Sequence, residues 1–157
     1  EGVPALLVPD PLDLSSFRVE KDAASVASFK PSRSGGRLRY TLSRFVPGGE
    51  NKWCALAKRE RLDLSAYSGF YIRAVSDKYL RYFVELRSGD LWYYGSFKVH
   101  PGRESLCRVP FEKFYRVGRS REKMPLSEID SMFISSSNYT SRTGFSSELE
   151  IEEMGFY

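Results

Sequence analysis

The chain is poor in the residues that do chemistry. It holds one histidine and two cysteines among 157 residues. With His100 alone, a histidine-rich zinc site is excluded, and no C-x-x-C pair exists to replace it. A Ser-His-acid or Cys-His arrangement would have to recruit His100, which sits at a strand end just before Pro101-Gly102 and reads as a surface imidazole. Gly35-Gly36 and Gly48-Gly49 lack the spacing of a phosphate-binding loop. No apolar run approaches the roughly 18 residues that a membrane-spanning helix requires. Charge of one sign is also lacking: 24 Lys and Arg are dispersed among 20 Asp and Glu, a net +4. Dispersed cations of this kind are a solvated surface, so a nucleic-acid partner is not inferred. A glycosidase needs two carboxylates about 5–9.5 Å apart across a cleft. Glu85 with Glu148 or Glu150 is the pairing to examine, though nothing in the sequence selects it. No enzymatic activity is therefore read from the sequence.

Aromatic residues are what the chain has, at 15% of its length. They fall in short alternating runs separated by Gly, Pro, Ser and Asp, the pattern of half-buried strands joined by turns. Arg37–Val46 is a clear strand, and Trp53–Arg61 is the next, with Trp53, Ala55 and Ala57 on one side. Pro4, Pro9 and Pro11 make residues 1–15 an extended lead-in. Residues 17–29 read as two short strands or as one strand and a turn, 31–36 (PSRSGG) as a loop, 105–109 and 132–134 as strands, and 126–129 as a helical turn. Nine to eleven strands and no helix of ten residues predict a two-sheet antiparallel β-sandwich or jelly roll, in a single domain.

Residues 62–99 organise the rest. Phe70, Ile72 and Ala74, then Leu80, Tyr82, Val84 and Leu86, then Leu91, Tyr93, Phe97 and Val99 form apolar sets. The turns Ser76–Lys78 and Ser88–Asp90 have hairpin chemistry, so the stretch reads as an antiparallel meander. The opposite set carries Arg73, Arg81, Phe83, Glu85, Trp92, Tyr94 and Lys98. Rings mixed with charged hydrogen-bonding groups compose a ligand platform, unless a second layer such as the N-terminal segment covers them. Cys54 and Cys107 read as buried thiols; a disulfide would need neighbouring strands with Cα atoms about 4.4–6.8 Å apart. The basic run Arg116–Lys123 reads as a solvated loop. Asn138-Tyr139-Thr140 is a glycosylation sequon by pattern. A chain opening on Glu1 rather than Met fits a processed or trimmed form, and with it a secreted or periplasmic location.

The order of GGRLRYTL, KWCAL, LDLSAYSGFYIRAV, VPFEKF, PLSEIDSMFI and FSSELEIEEMGFY resembles the galactose-binding-like β-jelly-roll superfamily over residues 35–157. It is similar to the family 11 carbohydrate-binding modules and to the complex I intermediate-associated protein 30 family. Residues 1–30 depart from the usual acidic-aromatic opening strand. The resemblance implies two packed sheets with one concave face that binds glycans. By strand position that face would hold Arg73, Arg81, Phe83, Glu85, Trp92 and Tyr94. It also implies a structural calcium ion in many members; Asp10, Asp13, Glu150 and Glu152 are the acids to which this would fall, although no D-x-D cluster stands out. The functional expectation is a non-catalytic module binding a glycan or another polar ligand. The alternative is a protein-interaction or assembly domain, or a structural subunit of an extracellular assembly, with the aromatic face or the basic loop buried against a partner.

Overall fold

The computed structural model describes residues 9–49, 52–116, 123–136 and 144–157. The strands are β1 (Asp10–Pro11), β2 (Arg18–Lys21), β3 (Val26–Ser34), β4 (Arg37–Val46), β5 (Cys54–Lys58) and β6 (Gly69–Ser76). They continue as β7 (Leu80–Ser88), β8 (Leu91–Val99), β9 (Ser105–Pro110), β10 (Tyr115–Arg116), β11 (Ser131–Ser136) and β12 (Phe145–Phe156). Among the described residues only short 3₁₀ turns accompany them, and no helix is long and apolar enough to cross a membrane. The β-sandwich expectation holds. The two-residue strands β1 and β10 take the number described past the nine to eleven read from the sequence.

Two antiparallel sheets face each other. The first has the order β3-β4-β12-β6-β9, with β1 also on β12; the second has the order β10-β8-β7-β11-β5-β2. The apolar sets point inward from both sheets. Leu42, Phe70, Ile72, Leu149 and Ile151 meet Leu56, Tyr82, Val84, Leu86, Met132 and Ile134, all essentially without solvent exposure. Burying side chains of this size contributes about 1.5–3 kcal/mol each. β12 is the hub. It pairs with β4 from Phe145 to Ile151, with β6 along its C-terminal half, and with β1 through Asp10↔Phe156 and Pro11↔Gly155. The pairing with β6 shifts register between Ile151 and Glu153, and on the opposite edge of β12 strand β1 follows β4. Gly155 makes the β1 contact feasible, because a Cβ there would stand 2.2 Å from the Asp10 carbonyl oxygen.

Two sequence expectations need correction. Residues 62–99 are not one meander: β6 lies in the first sheet between β12 and β9, whereas β7 and β8 are a hairpin in the second. The Ser76–Lys78 turn is a crossover between sheets. Alternation reports which side of a strand is buried, not which strand it pairs with. Residues 31–34 are not loop but the end of β3; the chain reverses only at Gly35-Gly36, both with positive φ. A two-residue turn makes Ser34↔Arg37 a hydrogen-bonded pair. By alternation, Pro31↔Tyr40 is then a non-bonded pair. The missing N–H of Pro31 therefore faces the open edge of β3, where proline is tolerated. The sequon at 138–140 and most of the basic run after Arg116 lie outside the described residues.

Cys54 is buried, Cys107 is half-buried, and both are free thiols, on strands of different sheets. Burial pushes both thiols above the ordinary cysteine range.

Candidate functional site

The outer face of the second sheet is built from residues that alternate with its core set. One level across it runs Tyr115, Tyr94, Glu85, Phe133 and Ala57. The level on one side holds Trp92 and Arg87; on the other lie Ser96, Phe83 and Ser135. Ala55, Ala57 and Phe133 are buried although they point away from the core. Small side chains on β5 leave a trough, and larger ones on β7, β8 and the approach to β5 raise its walls. The groove encloses about 630 Å³ and is lined by Trp53, Trp92, Tyr94, Glu85, Arg87 and Phe133, with Glu20, Lys52 and Arg59 among the polar groups. Trp53 and Trp92, the chain's two tryptophans, are 42% and 41% exposed.

The floor is polar and ordered. The Arg87 guanidinium lies 4.1 Å from the Trp92 ring centre and 4.2 Å from that of Phe133, a cation held between two π faces. Its Nη2 donates to Glu85 Oε2 at 3.1 Å. Glu85 is only 5% exposed, yet its Oε1 has no hydrogen-bond partner, and neither has Arg87 Nε. Both atoms are shielded from solvent, so the floor carries the cost of two desolvated, unmatched polar atoms beneath its aromatic walls. At the β2–β5 side, Arg59 donates twice to Glu20, at 2.6 and 2.7 Å. That hydrogen bonding holds the Glu20 carboxyl below its ordinary range and the Arg59 guanidinium above its own. Asp22 Oδ2 accepts the Trp53 backbone N–H at 2.6 Å and so anchors the groove wall. Toward the sheet edge, Tyr94 stacks on Tyr115 and meets Phe83 edge-on, extending the aromatic surface.

Of the residues singled out from the sequence, Phe83, Glu85, Trp92 and Tyr94 share this face, and Arg81 stands exposed at its end. Arg73 does not belong with them. It lies on β6 in the other sheet, 3.7 Å from Glu104, because the predicted meander is divided between the sheets. Sequence reasoning missed Trp53, Arg87 and Phe133 as groove residues. Trp53 shares the phase of Ala55 and Ala57, and Arg87 that of Glu85, which was the available signal. Among the described residues the N-terminal segment leaves the rings uncovered: β1 adds to the first sheet and β2 to the edge of the second.

Glu85 and the Glu148 and Glu150 carboxylates occupy different sheets, with Glu148 and Glu150 on the outward side of β12, so they do not face one another across a cleft. The acids considered for calcium are engaged elsewhere. Asp10 accepts from Tyr67, Asp13 caps a 3₁₀ turn, and Glu150 and Glu152 lie against Arg39 and Arg37. Among the described residues no group of three or more His, Cys, Asp or Glu side chains is placed to hold a metal ion.

No protein-family model matches this chain, and no curated protein matches it in sequence. Its fold has solved relatives. The family 11 carbohydrate-binding module of a cellulosomal cellulase from Clostridium thermocellum superposes with a TM-score of 0.70 at 14% identity, over 96% of this chain and 94% of that one. The Clostridium thermocellum module in complex with a β-1,3-1,4-mixed-linked tetrasaccharide gives the same score and identity, over 96% and 95%. An exo-β-agarase matches with a TM-score of 0.61 at 10% identity, over 91% of this chain but 24% of its own. The chain thus shares the two-sheet antiparallel β-sandwich fold of the family 11 carbohydrate-binding modules.

Proposed function

We propose that this chain is a non-catalytic carbohydrate-binding module, and that its ligand lies in the groove on the outer face of the second sheet. The observation that carries the reading is the groove itself. Two exposed indole rings flank a concave floor that carries the Glu85–Arg87 ion pair. Flat rings stack on the apolar faces of pyranoses. Fixed charged acceptors and donors read the hydroxyl positions around the ring. The Trp92 ring is held by Arg87 before any ligand arrives, which reduces the ordering cost of binding. The shared fold with modules of family 11, one of them solved with a bound tetrasaccharide, supports the same reading. The concavity favours a glycan over the flat contact surface of a protein-assembly domain.

The test is a glycan-array screen of the chain, followed by fluorescence titration of each hit. Both tryptophans line the groove, so a ligand seated there shifts the emission as it saturates. A folded chain that binds no glycan, or that binds without any change in tryptophan emission, overturns the assignment.

A further inference from the structure

The outer face of the second sheet continues past the groove to a pair of like charges. Arg81 on β7 and Lys98 on β8 are direct cross-strand partners, and both are exposed. Like charges in this position repel and destabilise the pairing. Among the described residues no carboxylate lies within 4.0 Å of either cation, nor of Lys52 on the groove wall. The other cations of the groove differ: Arg87 is matched by Glu85 and Arg59 by Glu20.

Position links this pair to the groove. Ile134 of β11 stands opposite Val84 on one side and Leu56 on the other. Three residues back along each of those two strands, Arg81 is level with Trp53. The cationic pair therefore shares a level of the sheet with one groove tryptophan. It lies ~13 Å along β7 from Glu85, with Phe83 and Ser96 between. The Lys98 ammonium also lies 5.7 Å from the Tyr79 ring centre, so an aromatic face supports this end as well.

We infer that the groove takes a glycan bearing anionic substituents, carboxylate or sulfate groups on the sugar, and that Arg81 and Lys98 receive them. The inference rests on the glycan-binding reading above and adds the ligand's charge to it. Bound oxyanions offset the Arg81–Lys98 repulsion. Arg81 offers a planar fork of donors that suits both carboxylate and sulfate.

The experiment titrates tryptophan fluorescence with three probes: oligogalacturonate, a sulfated galactan oligosaccharide and a neutral β-glucan oligosaccharide. Each is run at low and at high sodium chloride. At least one anionic probe binds more tightly than the neutral one at low salt, and the advantage shrinks at high salt as the charges are screened. The two anionic arms show whether uronate or sulfate is preferred. An Arg81→Ser/Lys98→Ser variant loses anionic affinity roughly three- to tenfold, the range that two exposed ion pairs allow, and keeps its neutral-glycan affinity, with a Tm equal to or slightly above the parent's as the cross-strand repulsion is removed. Arg33→Ser/Arg108→Ser removes the same charge from strands of the other sheet and leaves anionic affinity unchanged. Equal binding of neutral and anionic probes overturns the inference while the groove reading stands. Equal losses in the two double variants overturn it by showing attraction to net charge alone. Binding of none of the probes overturns this inference, and a blank array overturns the groove reading with it.

Discussion

Gly155→Ala tests the architecture at its hub. A Cβ at this position stands 2.2 Å from the Asp10 carbonyl oxygen and 2.9 Å from the Pro11 Cα, backbone atoms that cannot rotate away. The only relief is for β1 to leave β12. With it go the Leu12 N–H to Met154 carbonyl bond at 2.9 Å and the Tyr67 hydroxyl to Asp10 contact. Two or three hydrogen bonds at about 1 kcal/mol each give a loss of about 2–3 kcal/mol. For a domain of this length that lowers Tm by roughly 4–12 °C. Urea or thermal unfolding followed by circular dichroism measures it. The informative control removes residues 1–11 in the parent and in the variant. If the clash with β1 is the whole cause, Gly155→Ala costs little more in the truncated chain, because the two changes share one mechanism. An additive loss, or a Tm within a degree of the parent in the full chain, refutes the reasoning.

Three further outcomes follow from the groove and the core. Trp92→Ala weakens glycan binding about 10- to 100-fold, from lost stacking plus the apolar area a ligand would cover, whereas stability falls by only about 1 kcal/mol with the loss of the Arg87 contact; calorimetric titration beside a melting curve separates the two. The Asp22 carboxyl is held below its ordinary range, first by the Ser25 hydroxyl and then by the Trp53 backbone N–H. Its folded pKa is depressed, so its stabilisation is full above the unfolded value of about 3.9 and is lost as pH falls through the folded value; Asp22→Asn accordingly flattens the acid limb of a stability–pH curve, and an unchanged limb contradicts the assignment. Arg44 is 4% exposed, has an unpartnered Nη2 and no carboxylate within 4.0 Å among the described residues, and lies over Tyr82 and Phe145. Arg44→Met should change stability by no more than about 1 kcal/mol in either direction, since a well-packed apolar side chain replaces a desolvated charge, and a loss of 3 kcal/mol or more, roughly what breaking a buried ion pair costs, would count against that view.

The strands were legible because burial on one face writes a period of two into the sequence, and β4 reads correctly from Arg37 to Val46 for that reason. Their assignment to sheets was not legible. β6 and β7 follow one another across a three-residue turn that looks the same whether it closes a hairpin or crosses between sheets. The error over Arg73 descends directly from this ambiguity, since a strand's phase has meaning only within its own sheet. Glu85, Trp92 and Tyr94 come together because they lie on a true hairpin, where local register suffices. Trp53 and Phe133 reach the groove through β5 and β11, whose pairing spans about half of the chain and leaves no local trace. The buried state of Phe133 on an outward face depends on Arg59 and Arg87 lying over its ring, a cover that no periodicity records.

The place of β12 has a consequence for how the chain reaches this structure. Arg44 and Ser147, hydrogen-bonded between β4 and β12, are 103 residues apart in sequence. Until β12 arrives, β4 and β6 each expose an unpaired backbone edge within the first sheet, and that sheet's inner face lacks its central ridge of Leu149, Ile151 and Met154. Such closure is slow, because the entropy of bringing distant segments together is lost before any contact rewards it. On a ribosome the first sheet remains open until this strand has emerged from the exit tunnel, and a chain stalled before residue 145 carries two adhesive edges in place of one seam.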